Sequence, residues 1–308
     1  MKSNIIKLLL FFFLFFPLTL WADQLIIEPE MGRQPIFDAI AESKQTINLV
    51  MYGFTDQALL NALLQKKKLT LKIILENHPY KRENENDKVI NLLNKNNISW
   101  QGTIPGIDLI HQKTLLIDQQ KAIVMTFNFT RSAFKNDRNF ALILDNPKQV
   151  KEIANIFSAD WNHVPISSQD ETLIYSPMSR AQIIQFIHSA KKSIDIYAQN
   201  ISDYQLIGTI AKTARRGINI RILTSQSFRL KQRRYLEKAG VIIHRSTKYY
   251  IHAKTMIIDQ QKALIGSTNL TPSSLDRNRE LSTITQDNKV ISQLNSIFEE
   301  DWNNSKQE

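Results

Sequence analysis

The sequence predicts an α/β protein built as an internal duplication, with two similar halves of alternating helices and strands. Two observations carry this. Helix-period and strand-period stretches alternate along the chain, and the alternation runs through twice in the same order. The sharpest part of the repeat is residues 110–130, IHQKTLLIDQQKAIVMTFNFT, against residues 251–271, IHAKTMIIDQQKALIGSTNLT. The offset is 141 residues, and 12 of 21 positions are identical.

Taken in order, the chain opens with Lys2 and Lys7, an apolar run over residues 8–21 interrupted by Pro17, and Ala22 ahead of Asp23. This pattern predicts a signal peptide over residues 1–22, cleaved near Ala22, and export to a periplasmic or extracellular space. The run is shorter than the roughly 20 residues that span a bilayer; an uncleaved anchor is the alternative. The first repeat, residues 23–165, sets Ile36, Phe37 and Ile40 at helical spacing before the strand TINLVMY at 46–52, then ALLNALL before LTLKIIL at 69–75. The polar segment 76–87, ENHPYKRENEND, lacks apolar periodicity and reads as a loop. Across it the spacing between repeats falls from 147 to 141, which assigns six extra residues to this loop, either a surface insertion or a lid or substrate contact. An amphipathic helix then ends in Asp160-Trp161-Asn162, and PISSQDE at 165–171 forms the boundary. The second repeat, residues 166–308, places Ile183, Ile184 and Ile187 before SIDIY at 193–197, and LIGTIAKTARRG before INIRILT at 218–224. Gly217 is its helix stop, and a last helix closes on Asp301-Trp302-Asn303. Both tryptophans are expected as core anchors.

No cysteine occurs, so neither disulfides nor thiolate metal sites are available. Beyond residue 22 there are 37 basic and 29 acidic residues, net +1 over residues 23–165 and +7 over 166–308. Lys212, Arg215, Arg216, Arg221, Arg229, Lys231, Arg233 and Arg234 occur within residues 212–236 without one acidic residue. The basic second half is expected to meet a phospholipid membrane surface or nucleic acid; a solvated helix face is the plainer reading.

Each copy of the motif holds a His, a Lys two residues on, an Asp five after that and an Asn ten beyond it. These are His111, Lys113, Asp118 and Asn128, then His252, Lys254, Asp259 and Asn269. TLLID and TMIID, followed by AIVM and ALIG, read as hairpins around a polar turn. Residues two apart on a strand share a face, so each imidazole is expected beside an ammonium, which suits an anionic substrate. A lone His would be better read as a satisfied strand residue; duplication within the same polar set argues for a site. His78, His163, His188 and His244 show no ligand spacing, and no metal or cofactor is implied.

HxKxxxxD followed after six residues by GSxN resembles the signature of the phospholipase D superfamily. The second copy carries it in full through Gly266, Ser267 and Asn269, with Glu280 where the family places a carboxylate. The first copy departs from it. Met125 and Thr126 replace Gly and Ser, and Asn139 occupies the position equivalent to Glu280.

The resemblance implies two α/β/α halves packed about a pseudo-twofold axis, with the active site at their interface and a monomeric protein, since one chain holds both motifs. It implies hydrolysis of a phosphodiester through a phosphohistidine, with His111 as nucleophile and His252 as acid. Lys113 and Lys254 hold the oxyanion, Asp118 and Asp259 orient the catalytic site, and Thr126, Asn128, Ser267, Asn269 and Glu280 bind or support the phosphate. Phospholipase D-type cleavage of phospholipids to phosphatidate and a head group is the leading expectation. The alternatives are a metal-independent endonuclease and, given Met125 and Asn139, a degenerate anion-binding protein. Tyr249 and Tyr250 are positioned to stack a base, line a choline site or pack.

Overall fold

The computed structural model describes residues 22–167, 171–225 and 228–307. The expected signal peptide, apart from Ala22, lies outside the described residues, as does part of the boundary at 165–171.

The first half runs β1 (Gln24–Glu28), α1 (Gln34–Glu42), β2 (Thr46–Met51), α2 (Gln57–Gln65), β3 (Thr70–Leu75), α3 (Asp87–Lys95), β4 (Ser99–Gln101), β5 (Thr114–Ile117), β6 (Lys121–Met125), β7 (Asp137–Leu144) and α4 (Pro147–Asn162). The second runs β8 (Leu173–Ser176), α5 (Arg180–His188), β9 (Ser193–Ala198), α6 (Tyr204–Arg215), β10 (Asn219–Thr224), α7 (Leu230–Glu237), β11 (Ile242–Ser246), β12 (Tyr250–Ile251), β13 (Lys254–Ile258), β14 (Lys262–Gly266), α8 (Pro272–Asp276), β15 (Glu280–Thr285), α9 (Asn288–Asn303) and β16 (Ser305–Gln307). The first sheet is ordered β1-β7-β6-β5-β2-β3-β4, and the second is β8-β15-β14-β13-β9-β10-β11-β16. From β8 to β11 the second order repeats the first strand for strand, as the duplication predicts; β16 extends the second sheet beyond β11, and β12 of the second half pairs with β7 in the first. Eleven residues separate β3 from α3 but five separate β10 from α7, so the six extra residues do fall in the polar loop.

Local chemistry sets the element ends. Asp56 and Asp203 cap α2 and α6 by accepting from the Leu59 and Leu206 amides, and Gly217 follows α6 at φ +90°, a conformation glycine adopts without strain. The helices form three layers around the sheets. Ile36, Ile40, Leu59, Leu63 and Leu93 cover the outer face of the first sheet, and Ile183, Ile187, Leu206, Ile210 and Leu236 cover that of the second. Between the sheets lies one shared core, where Val150, Ile153 and Phe157 of α4 meet Val290, Leu294 and Phe298 of α9. Each such side chain contributes roughly 1.5–3 kcal/mol relative to exposure, so the halves stabilise one another through this layer.

Contacts between the halves come in reciprocal pairs, as a two-fold relation requires. Ile251 pairs with Arg138, and Ile110 bridges to Arg279. The His252 amide donates to the Arg138 carbonyl at 3.2 Å, and the His111 amide to the Arg279 carbonyl at 2.9 Å. The buried Arg138 guanidinium meets Asp301 at 2.7 Å, and Arg279 meets Asp160 at 2.9 Å. Each Asp-Trp-Asn segment thus closes its repeat by reaching into the other half. Trp161 stacks on Phe157 and Trp302 on Phe298, both partly buried against the shared core.

Candidate active site

Both motif hairpins form, β5 with β6 and β13 with β14. Their tight turns put Asp118 and Gln119 at φ +53° and +54°, and Asp259 and Gln260 at +54° and +57°, a left-handed conformation that Asp tolerates better than most residues. The Asp118 carboxylate accepts from the amides of Lys44, Gln45 and Thr46 at 2.7–2.8 Å. Asp259 accepts from those of Lys191, Lys192 and Ser193 at 2.7–3.2 Å. Partial burial works to raise both carboxyls, yet these amides hold them below the usual carboxylate range. One strand of about 3.3 Å per residue separates each Asp from its Lys, roughly 13–17 Å. Asp118 and Asp259 are therefore not brought to the histidines; they tie each hairpin turn to the start of β2 or β9.

The histidines also depart from the expected strand pairing. His111 and Lys113 precede β5, and His252 precedes β13, whose first residue is Lys254. In these extended segments the Lys113 ammonium donates to the His111 carbonyl at 2.5 Å, and the Lys254 ammonium to the His252 carbonyl. Lys254 Nζ also lies 3.3 Å from His252 Nδ1.

At the imidazole rings the halves exchange partners. His111 Nδ1 lies 2.9 Å from both carboxylate oxygens of Glu280, at the start of β15 in the second half. His252 Nδ1 lies 2.9 Å from Asn139 Oδ1, on β7 of the first half. Asn139 Oδ1 also accepts from the Thr126 hydroxyl at 2.8 Å, while that hydroxyl accepts from the Phe140 amide at 2.9 Å. Ser267 accepts from the Leu281 amide at 3.0 Å and its hydroxyl donates to the Leu281 carbonyl at 3.3 Å, next to Glu280 in the chain. Thr126 and Ser267 are fully buried, so they hold Asn139 and Glu280 in place and do not line the cleft.

The unusual residues of the first motif are accommodated differently from each other. A Cβ at Gly266 would stand 2.3 Å from Ser282 Cα, so that strand pair requires glycine. In the first half Met125 is opposite Ala141, and its side chain fills the outer core without lining the cleft. Asn139, by contrast, reaches the second histidine.

Burial lowers His111, against the opposing pull of Glu280, and lowers His252 much further, helped by Lys254, Lys113 and His111. It pushes the Lys113 ammonium down to about 7, with Glu280 opposing, and Lys254 well below its ordinary value, with Lys113 contributing. Glu280 stays below the usual range despite burial because His111 and Lys113 favour its charge. A bound anion would counter these downward shifts of the lysines and histidines.

Both histidines open onto one cavity of about 440 Å³, lined also by Asn128, Asn269, Tyr52, Tyr250, Gln199 and Asn200. Each Nδ1 is engaged by the other half, and His252 Nε2 lies 3.5 Å from Lys254 Nζ. The Tyr52 ring meets His111 edge-on at 4.9 Å. The longer loop adds Tyr80, Arg82 and Glu85 to the wall, which the excess length flagged without giving their roles. Gln199 and Asn200 had no sequence signal. Of the adjacent tyrosines, Tyr250 lines the cavity, whereas Tyr249 packs under the Arg138 guanidinium at 4.5 Å. His78, His163, His188 and His244 do not line it, and among the described residues no group of three metal-ligating side chains occurs.

Residues 36–161 and 183–302 each match the family model described as cardiolipin synthase, PLD-like domain. The chain is 25% identical over 132 residues to a mitochondrial cardiolipin hydrolase of Chlamydomonas reinhardtii, a match that covers 42% of this chain and 59% of that protein. It is 34% identical over 113 residues to a phospholipase D of Rickettsia prowazekii, covering 35% of this chain and 55% of the relative. These matches span only about three-fifths of each relative's length. The crystal structure of phosphatidylserine synthase from Haemophilus influenzae Rd KW20 shares the fold, with a TM-score of 0.73 at 13% identity over 93% of this chain and 87% of that one.

Proposed function

We propose a function for this chain from one premise: it belongs to the phospholipase D superfamily, both of its repeats matching the family model. It acts as a phosphodiesterase that hydrolyses phospholipids to phosphatidate and a free head group. The observation that carries the reading is the crossed support of two histidines on one cleft, His111 on Glu280 and His252 on Asn139.

Neutral His111 Nε2 attacks phosphorus, and the departing head-group oxygen takes a proton from His252. Glu280 stabilises the positive charge that the His111 ring acquires in the phosphohistidine, a charge-assisted interaction that Asn139 cannot supply to His252. That asymmetry supports His111 as nucleophile and His252 as acid. Arrival of the phosphate anion offsets Lys113 and Lys254 beside His252, so the ring takes up the proton it later donates. Water then attacks phosphorus, His252 removes its proton, and the P–N bond breaks to release the phosphomonoester. Lys113 and Lys254, with the amides of Asn128 and Asn269, neutralise the non-bridging oxygens.

A second reading is cleavage of nucleic acid by the same groups; Tyr52, Tyr80 and Tyr250 on the cavity wall favour it, because single-stranded bases stack on such rings. We further propose that the protein works as a monomer after export, at a membrane surface. Phosphatidylcholine vesicles and single-stranded DNA, offered to the same preparation with EDTA present, separate the readings. Head-group release supports the lipid reading; DNA cleavage without any head-group release from vesicles overturns it.

A further inference from the structure

Far from the cleft, the two halves place different chemistry at one set of equivalent positions. In the second half Arg221 of β10 stands opposite Asp195 of β9, bonds to it at 2.7 Å, and reaches Glu299 of α9 at 2.5 Å. The guanidinium carbon lies 4.8 Å from the Phe298 ring centre and 5.2 Å from that of Trp302. In the first half the same positions hold Lys72 of β3, Asn48 of β2 and Ser158 of α4, with Phe157 and Trp161 as the two rings. Lys72 keeps the aromatic contact, its ammonium lying 5.1 Å from the Trp161 ring centre, but Asn48 and Ser158 stand where the carboxylates were. One cation with two acids in the second half thus becomes one cation with none in the first.

At this place the first half has a cavity of about 270 Å³ between its sheet and α4. The polar wall comes from four chain segments: Thr46 and Asn48 on β2, Lys72 on β3, Gln119 in the motif turn, and Asn155 and Ser158 on α4. Among the described residues no acid lines it, and the Asp118 carboxylate beside Gln119 is already held by three backbone amides. The Thr46 hydroxyl is buried with no hydrogen-bond partner. Gln119, Asn155 and Ser158 are exposed, so the cavity opens to solvent. Thr46 begins β2 and Tyr52 of the cleft wall follows its end, so the strand puts roughly 20 Å between them.

We propose that this cavity is a second anion site, which binds a phosphomonoester group through Lys72. Lysine supplies a point charge to phosphate, and the surrounding hydroxyls and amides are donors for its oxygens. A group with three terminal oxygens can accept from several segments at once, where a carboxylate offers two. The volume falls below the roughly 300–1,000 Å³ of sites for drug-sized ligands, which suits a head group better than a nucleotide. Free phosphate and the head group of phosphatidate share this chemistry.

The test uses full-length protein isotopically labelled at tryptophan, in which the Trp161 indole signal reports on the cavity and not on the cleft. Inorganic phosphate is expected to shift that signal saturably, and sodium chloride at equal ionic strength to leave it in place. Lys72→Gln should weaken the binding several-fold. Asn48→Asp/Ser158→Glu, which gives Lys72 the two carboxylates that Arg221 has, should abolish it in a folded protein with unchanged turnover. Vesicles with and without phosphatidate identify the source: retention of wild type but not of Lys72→Gln on phosphatidate assigns a lipid head group, and equal retention of both assigns free phosphate. No saturable shift of Trp161, a shift reproduced by chloride, or equal phosphate affinity in all three proteins overturns the proposal. The cavity is remote from the histidines, so each of these results leaves the phosphodiesterase reading to its own test of head-group release.

Discussion

Replacing Glu280 by Gln removes one charge from the site while keeping its shape. The wild-type carboxylate is fully buried and meets His111 Nδ1 through both oxygens at 2.9 Å. A hydrogen bond to a charged group is worth roughly 1.5–3 kcal/mol against about 0.5–1.5 for a neutral one. The difference, about 1–2 kcal/mol where positive charge builds on His111, amounts to a loss of about 5- to 30-fold in kcat/KM. The pH dependence carries a sign of its own. Glu280 raises both His111 and Lys113, so its loss lets both ionise at lower pH. Neutral His111 is then available in more acid solution, while Lys113, already down at about 7, loses its proton earlier. The whole bell of kcat/KM should therefore move to lower pH. The assay is the initial rate on a soluble chromogenic phosphodiester across about pH 5–9, bracketing these groups. A loss under threefold, or a bell displaced to higher pH, refutes the reasoning.

Three further outcomes follow from the same geometry. A denaturing quench in alkali during turnover should leave substrate phosphorus on His111, stable in base and labile in acid; recovery of the adduct on His252 would reverse the two roles. Asp259→Ala removes the acceptor of three backbone amides at a turn remote from the cleft, so stability should fall by roughly 1–3 kcal/mol in denaturant unfolding with kcat retained. Because the folded Asp259 carboxyl is depressed, that stabilisation is present above its unfolded range and lost as pH falls through the folded value, so wild type and variant should converge in acid; a deficit that persists there contradicts the account. Asp301→Ala strands the buried Arg138 with only the half-exposed Glu30 as counter-charge and should cost about 3 kcal/mol or more; unfolding within 1 kcal/mol of wild type would show that the reciprocal bridges do not hold the halves.

What could be read from the sequence was whatever is local or repeated. The hairpins show because TLLID and AIVM alternate around a polar turn, and the loop at 76–86 shows because one repeat is longer than the other. The partner exchange does not show, since Glu280 lies 169 positions from His111 and only the docking of two halves brings them together. By spacing alone Glu280 belongs with His252 in its own motif, and the two-fold relation hands it to the other ring. Asp118 and Asp259 read as site members for a similar reason: spacing along a motif carries no direction, and a strand of four or five residues moves each Asp to the opposite end of its hairpin.

The basic run of the second half is divided by the fold, and the division sharpens the choice of substrate. Arg221 is spent on Asp195 and Glu299, and Arg233 on Glu237. Helix α6 begins just after Asn200 at the cleft and runs away from it for 12 residues, about 18 Å, so Lys212, Arg215 and Arg216 stand at the remote end. Arg229 and Lys231 are exposed at the start of α7. Ser225, just after β10, is tied to the cleft wall, since its hydroxyl accepts from the Ile251 amide at 2.6 Å and donates to the Tyr249 carbonyl at 3.2 Å, on either side of Tyr250. If a polyanion leaves the cleft on the side of Tyr250, Arg229 and Lys231, four and six residues beyond Ser225, are the cations expected to meet it, not Arg215 and Arg216. If nucleic acid is the substrate, Arg229→Glu/Lys231→Glu should weaken single-strand binding several-fold and flatten the slope of log affinity against log salt by about 1.4, roughly 0.7 for each lost phosphate contact. Arg215→Glu/Arg216→Glu should change that slope little. If zwitterionic phosphatidylcholine in neutral vesicles is the substrate, head-group release should be nearly the same in both variants, because no surface charge has to be matched. A larger loss of single-strand affinity in the Arg215/Arg216 variant than in the Arg229/Lys231 variant would mean that the polyanion binds along the far end of α6, outside the cleft, and would separate charge-driven binding from the two-histidine site altogether.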